Sequence, residues 1–437
     1  MIHRMQLTLW ARLPYLVPSM LWRTTLGKPL TPEALRRLQN KKLRALIQHS
    51  YTHVPYYHHL FKKAGLHPDD VKTVDDLPKI PITRKEDLRD LPAEEVLASD
   101  YAVEQCNVRR TSGTTGIPLT VYWDQKARLI HILAIARWQL ECGDKITHKT
   151  IDLGSGTGVP VRHPFQPLGI FRKKWVSPHI DVKSQIAEIK AYDPRSLVSC
   201  PTLLEALCKE IIDKDVHGLD IRLVFSLGEY LDDPTRALIQ DALNAEVFNS
   251  YGCREISRTS FECSHHEGLH TLADMVFVEI ARDGAPVSIG DEGEVTVTNL
   301  HNHAMPFIRY AVGDIGVMLG SDCPCGNCSP LMQITEGRTK DRIWLPDGRR
   351  IPALVPIEVL RYVDGLRQFQ LVQETHDRIV VHIIPGRTMA DTVPNEIKQQ
   401  LKLILGNIEI EVREVDSIPR EASGKLRQFI TNVSPSE

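Results

Sequence analysis

Two stretches of this 437-residue chain carry residue types whose spacing could do chemistry. The first is Thr111-Ser112-Gly113-Thr114-Thr115-Gly116-Ile117-Pro118, where every side chain before Ile117 is a hydroxyl or a hydrogen. Glycines let a backbone approach a ligand closely, and hydroxyls with adjacent amides offer neutral donors to phosphate oxygens. The Gly-Lys-[Ser/Thr] ending of a Walker loop is missing, so cationic help for a phosphate must come from elsewhere. A flexible polar linker is the plain alternative for a Ser/Thr/Gly run. The second stretch is divided: Cys263-Ser264-His265-His266-Glu267-Gly268-Leu269-His270, and Asp322-Cys323-Pro324-Cys325-Gly326-Asn327-Cys328. Soft thiolates and imidazoles, with two cysteines one residue apart before a glycine, suit a closed tetrahedral zinc site that would staple structure.

The elements that must position these residues are legible in the periodicity. Apolar alternation on both sides of the hydroxyl loop, in Gln105 to Arg110 and Leu119 to Trp123, reads as strand. Leu35, Leu38, Leu43, Leu46 and Ile47 give a helical pattern over Thr31 to Leu66. From Asp124 to Asn249 helix and strand alternate: a helix after Asp124, a strand near Thr150 to Leu153, a helix from Ser184 to Tyr192, a strand Ser196 to Ser199, a helix after Pro201, a strand Ile221 to Ser226, a helix from Pro234 and a strand Ala245 to Asn249. Such alternation implies a parallel sheet covered on both faces. From Met275 to Thr298 the pattern becomes hairpins separated by Asp283-Gly284 and Gly290-Asp291. After Gly337 a smaller α+β unit is expected, with strands near Gln368 to Val372, Ile379 to Ile384 and Ile408 to Val415, and a helix from Asp391 to Leu405.

Composition bounds the function. An apolar share of 42% and a charged share of 25% suit a soluble globular enzyme, and the length favours two domains. With 53 basic against 55 acidic residues there is no electrostatic case for nucleic acid as a partner. Met1 to Trp22 is apolar but broken by Arg4, Arg12, Pro14 and Pro18, which reads as a docking helix and neither a transmembrane segment nor a signal peptide. Nine cysteines without a secretory signal point to reduced thiols and a cytoplasmic location.

Four further segments follow the hydroxyl loop in fixed order: Ser250-Tyr251-Gly252-Cys253-Arg254-Glu255, Arg309-Tyr310-Ala311-Val312-Gly313-Asp314, Gly337-Arg338-Thr339-Lys340-Asp341, and Pro419-Arg420-Glu421-Ala422-Ser423-Gly424-Lys425. In this order and spacing they resemble the adenylate-forming superfamily of acyl-CoA ligases and adenylation enzymes. The nearer resemblance is to the phenylacetate-CoA ligase branch with its capsule-biosynthesis-type relatives. It rests on Leu46-Ile47-Gln48-His49-Ser50 with Val54-Pro55-Tyr56-Tyr57, on Asp75-Asp76-Leu77-Pro78 with Lys85-Glu86-Asp87-Leu88, and on the Cys/His segments.

The resemblance implies an α/β fold: a large N-terminal adenylation domain, 1–338, with parallel sheets and a β-rich subdomain, then a small mobile α+β lid, 339–437. It implies ATP, magnesium and a small carboxylic acid, aryl or similar, activated to an acyl-adenylate and passed to coenzyme A. By position, Lys425 is the catalytic lysine and Glu255 the magnesium ligand. Thr111, Ser112, Gly113, Thr114, Thr115 and Gly116 hold phosphates, with Glu229, Tyr251, Gly252, Arg254, Asp314 and Arg338 completing the nucleotide site. Tyr251 would stack on adenine, Asp314 would accept from the ribose hydroxyls, and Lys340 would be the hinge. The branch's Cys and His pattern maps the zinc ligands to Cys263, His270, Cys323 and Cys325, with His265, His266 and Cys328 as substitutes for the fourth. A homodimer is admitted as an assembly.

The chain departs from the family pattern at four places. Arg254 stands where the family has a Thr before the magnesium Glu, and Ile117 where relatives often have Lys. Ala311-Val312 replaces an Arg-Thr. After the hinge, Leu345-Pro346-Asp347-Gly348-Arg349-Arg350-Ile351-Pro352 replaces the Arg-Gly-x-Asn-x-Phe-Pro phrase that lines the pantetheine tunnel, and Asp347-Gly348 reads as a hairpin turn. Adenylation is therefore better supported than thioester formation. An adenylate-forming enzyme with a non-CoA acceptor, as in coenzyme or capsular polysaccharide biosynthesis, is the alternative, and a non-catalytic, zinc-stapled nucleotide-binding protein is the third reading.

Overall fold

The computed structural model describes residues 30–110, 119–154, 166–336, 342–361, 363, 365–386, 389–420 and 426–433. The chain divides into two compact units, one made of 1–146 and 248–335 and the other of 147–247 and 336–437.

The first unit opens with α1 (Pro32–His53) and α2 (Pro55–Lys63). Thr31 caps α1, accepting from the Ala34 amide, and Pro55 at the first position of α2 breaks what the periodicity presents as one run. Leu43, Leu46 and Ile47 of α1 and Phe61 of α2 bury together with Val74, Leu77 and Ile80. Strands β1 (Asn107–Arg110) and β2 (Thr120–Trp123) pair antiparallel, as the flanks of the hydroxyl loop require, and Asp124 then caps α3 (Gln125–Glu141).

The same unit carries eight strands: β7 (Glu246–Cys253), β8 (Ser257–Glu262), β9 (Leu269–Thr271), β10 (Val276–Arg282), β11 (Ala285–Pro286), β12 (Glu292–Asn299), β13 (Tyr310–Gly320) and β14 (Leu331–Glu336). Their order is β11-β10-β12-β13-β14-β9-β8-β7. The β10–β12, β12–β13, β7–β8, β8–β9 and β9–β14 pairs are antiparallel. The hairpin reading of Met275 to Thr298 thus stands. β8, β9, β13 and β14 were absent from the sequence reading, because their residues present chemistry-bearing phrases and short polar runs where a strand pattern would be sought.

The second unit contains β3 (Lys149–Leu153), β4 (Arg172–Val176), β5 (Ser196–Ser199) and β6 (Leu223–Leu227), all paired parallel in the order β6-β5-β3-β4. Helices α4 (Val182–Tyr192), α5 (Pro201–Asp213) and α6 (Asp233–Leu243) alternate with them, and Leu197, Val224, Leu204, Leu207 and Ile239 share one core. β5 and β6 are buried at every position, as parallel strands covered on both faces must be.

The unit also holds the C-terminal region. Here β15 (Arg342–Trp344) and β16 (Arg350–Pro352) form a hairpin whose turn includes Gly348 at φ 83°, bearing out the reading of Asp347-Gly348. Helices α7 (Leu354–Arg361) and α8 (Val393–Leu405) pack on a sheet of β17 (Leu366–Thr375), β18 (Arg378–Pro385), β19 (Glu409–Glu414) and β20 (Phe429–Thr431), ordered β19-β18-β17-β20. The fold class is α/β, with a small C-terminal α/β region. Among the described residues no helix is long and apolar enough to cross a membrane.

Candidate functional site

Two constellations form in the first unit. The carboxylate centre is built on β7 and β13. Tyr251, near the end of β7, donates its phenol to Asp314 Oδ2 on β13 at 2.6 Å. Tyr310, the first residue of β13, donates to Glu255 Oε1 at 3.1 Å. Each carboxylate is therefore aimed by a phenol. Burial and the neighbouring carboxylates raise both phenols above the usual tyrosine range, so they remain protonated donors at neutral pH.

Glu255 is 9% exposed, and its second oxygen, Oε2, has no hydrogen-bond partner among the described residues. A carboxylate fixed through one oxygen and open at the other fits a hard divalent cation. Cys253, beside this pair, has its thiol pushed up by burial and by Glu255, which makes it a poor nucleophile.

The backbone explains how the carboxylates arrive there. Arg309 is buried beneath β13, donating to the carbonyls of Pro78, Ile80 and Gly284 and pairing with Glu279. Its position fixes the start of the strand that carries Tyr310 and Asp314. Gly252 sits at a bulge between β7 and β8, where a Cβ would lie 2.2 Å from the Ser257 carbonyl oxygen. That crowding gives Gly252 a structural reason independent of nucleotide contact. Ser257 itself holds φ 80°, a strained value for a residue with a side chain, and its hydroxyl is hydrogen-bonded to His131 Nδ1 on α3. His131 meets Trp123 edge-on, and the Arg109 guanidinium lies 4.6 Å over the Trp123 ring. Tyr310, His131 and Ser257 were missed from the sequence. Tyr310 was quoted in a motif without a role, and nothing in the order of residues brings His131 to Ser257.

The second constellation is the thiol and imidazole cluster. One ligand atom from each of Cys263, His270, Cys323 and Cys325 lies within 4.8 Å of all the others. Cys263 Sγ and Cys323 Sγ are 3.7 Å apart, and Cys325 Sγ is 3.2 Å from His270 Nε2. A tetrahedral ion with metal–sulfur bonds of ~2.3 Å spaces two thiolates ~3.8 Å apart, so the donor set fits zinc. His270, fully buried on β9, has Nδ1 3.1 Å from the Ser329 carbonyl, which fixes the ring and turns Nε2 toward the sulfurs. Burial lowers its pKa, which favours the neutral ligand form. Of the substitutes, Cys328 donates to the Leu30 carbonyl and His266 pairs with Glu262, so among the described residues neither they nor His265 joins the cluster.

In the second unit Glu229 is engaged at both oxygens, accepting from the Thr202 amide at 3.0 Å and the Thr202 hydroxyl at 3.2 Å. It thereby caps α5. Thr111, Ser112, Gly113, Thr114, Thr115, Gly116, Arg338, Lys340 and Lys425 lie outside the described residues.

A phenylacetate-coenzyme A ligase of Thermus thermophilus is 27% identical over 362 residues, covering 78% of this chain and 79% of that one. One of Escherichia coli is 26% identical over 429 residues, covering 91% and 95%. The chain is similar to phenylacetate-coenzyme A ligases along most of its length. The solved structure of a 2-hydroxyisobutyryl-CoA ligase superposes with a TM-score of 0.76 at 18% identity, over 94% of this chain and 91% of that one, so the relationship extends to the acyl-CoA ligase fold. Residues 343–432 match the CapK C-terminal domain.

Proposed function

We propose that this chain activates a carboxylic acid with ATP to an acyl-adenylate and passes the acyl group to coenzyme A. The observation that carries the reading is similarity to phenylacetate-coenzyme A ligases over up to 91% of the chain, and the carboxylate centre of Asp314 and Glu255, each held by a phenol, supports it. The acid is aryl or similar.

The chemistry needs no nucleophile from the protein. The acid's carboxylate attacks the α-phosphorus of ATP and pyrophosphate leaves; the coenzyme A thiol then attacks the acyl carbon of the adenylate, forming the thioester and releasing AMP and a proton. The enzyme's task is to position groups and to meet developing charge on the phosphoryl oxygens. Glu255 would hold magnesium, which when bound neutralises polyphosphate charge. Tyr310 keeps that carboxylate in place. Asp314 would take the ribose hydroxyls, with Tyr251 fixing its orientation and offering its ring to adenine. Thr111 to Gly116 would follow the phosphates, and Glu229 would border the adenine while capping α5. Lys425 would bridge the acid and the α-phosphate from a lid comprising 339–437, with Arg338 and Lys340 at the hinge. Cys263, His270, Cys323 and Cys325 would hold a structural zinc. The surroundings are proposed as cytoplasmic, and the assembly as a homodimer.

A non-CoA acceptor stands as the second reading, because the β15–β16 hairpin occupies the sequence position of the tunnel phrase. Chromatography of reactions with ATP and a panel of aryl and alkyl acids, with and without coenzyme A, separates the two. Acyl-CoA and AMP appearing only when coenzyme A is added is the expected result. Accumulation of acyl-adenylate unaffected by coenzyme A would transfer the proposal to another acceptor.

A further inference from the structure

Metal-binding donors converge a second time in the first unit, away from the thiol cluster. At the end of α1, His49 and His53 stand four residues apart, a spacing that puts both imidazoles on one helix face. Their ring centroids are 4.9 Å apart. Asp100 reaches the same point from the segment ahead of β1: one ligand atom from each of His49, His53 and Asp100 lies within 4.8 Å of the other two. His49 Nε2 is 3.8 Å from Asp100 Oδ1 and 3.0 Å from the His303 carbonyl oxygen, so one imidazole nitrogen faces two oxygens.

Backbone hydrogen bonds hold these donors together. The Ser99 amide donates to the His53 carbonyl at 2.8 Å and the Ala98 amide to the Ala304 carbonyl at 2.8 Å. Residues 98–100 are thereby fastened both to the end of α1 and to the loop that carries His303. The Ser99 hydroxyl, 3.2 Å from His53 Nδ1, orients the second ring, and the His303 ring meets His49 edge-on at 5.1 Å. The Asp100 side chain is 45% exposed and that of His49 16%, so an ion can enter from solvent.

We propose that His49, His53 and Asp100 form a second metal site, for a borderline divalent ion such as zinc, with the His303 carbonyl oxygen as a further ligand. Two imidazoles and a carboxylate favour this class of ion over magnesium, which prefers oxygen throughout. Metal bonds of ~2.1 Å in a tetrahedron space ligand atoms ~3.4 Å apart, so the pair at 3.8 Å closes with a small rotation of the exposed Asp100. The ion takes the place of a proton on His49 Nε2. It ties α1 to residues 98–100 and to the loop in which Asn302 donates to the Tyr122 carbonyl of β2. Being open to water, the site exchanges its ion and empties on desalting, whereas the closed thiol cluster keeps its own. Nothing in this site depends on the adenylation reading.

Zinc titrated calorimetrically into the desalted full chain tests the site, with wild type beside His53→Ala and Asp100→Asn. Wild type is expected to take up one added equivalent, and each substitution to weaken its binding about tenfold or more. Asp100→Asn keeps the shape of an exposed side chain and guards against a folding artefact. Cobalt(II) in the same place should give d–d absorption that is lost with His53→Ala, without the thiolate charge-transfer absorption that sulfur ligands produce. Zinc uptake equal in wild type and both variants overturns the site, whatever its total. Cobalt spectra that show thiolate charge transfer alone and are unaltered in both variants also overturn it. Displacement of the added zinc by an equal concentration of magnesium overturns the assignment to a borderline ion.

Discussion

The two constellations of the first unit are built on opposite plans. In the carboxylate centre each acid already has a partner, Tyr251 for Asp314 and Tyr310 for Glu255. In the thiol cluster the four donors face one another, with Cys263 and Cys323 3.7 Å apart and no disulfide. A satisfied carboxylate can exchange ligands with little rearrangement, which suits a site through which substrates pass. Thiols gathered around a point gain little from each other and much from an ion, which suits a permanent staple.

If that contrast holds, losses at the cluster should appear as instability and losses at the carboxylates as inactivity. The largest effect is expected from Cys263→Ser with Cys323→Ser. Elemental analysis should find about one zinc per wild-type chain and none in the variant, with the thermal midpoint lowered by about 10 °C. Retention of full stability without metal would remove the staple. Next in size, Glu255→Gln should slow adenylate formation about 100-fold with the midpoint within about 2 °C of wild type, because the substitution keeps shape and removes charge.

A pair of imidazoles sharpens the comparison. His270 and His301 both have Nδ1 3.1 Å from a carbonyl, of Ser329 and Met275 respectively, but His301 Nε2 is buried without a partner among the described residues. Burial lowers the His301 pKa from 6.5 to about 4. Below pH 6.5 the unfolded chain takes up a proton that the folded chain refuses, so this contribution to stability is complete above pH 6.5 and is lost as the pH falls toward 4. Urea denaturation at pH 5 and 7.5 should show about 2 kcal/mol of this dependence, and His301→Gln should abolish it. An unchanged pH slope in the variant would assign the loss to other groups. The smallest effect is expected at Tyr310→Phe: about fivefold slower adenylation through a less well held Glu255, with a higher magnesium requirement. A loss as large as that of Glu255→Gln would make the phenol more than a positioning group.

The sequence made the strongly periodic parts legible. Ser196–Ser199 and the helix after Pro201 fall where the pattern puts them, because a buried parallel strand is continuously apolar and Pro favours a helix's first turn. Arg172–Val176 was missed, since Arg172, Lys173 and Lys174 give no strand alternation and the strand is fixed by pairing with β3. The cysteine cluster could be read because zinc donors announce themselves by type. The phenol partners could not, because β7 and β13 bring together residues 63 positions apart that carry no joint signal.

Acid-dependent exchange of labelled pyrophosphate into ATP, measured with magnesium over aryl and alkyl acids, tests the central claim most directly. Exchange that requires one of these acids, and that is lost with Glu255→Gln, is the result predicted. No exchange with any acid from a folded, zinc-loaded chain would contradict it.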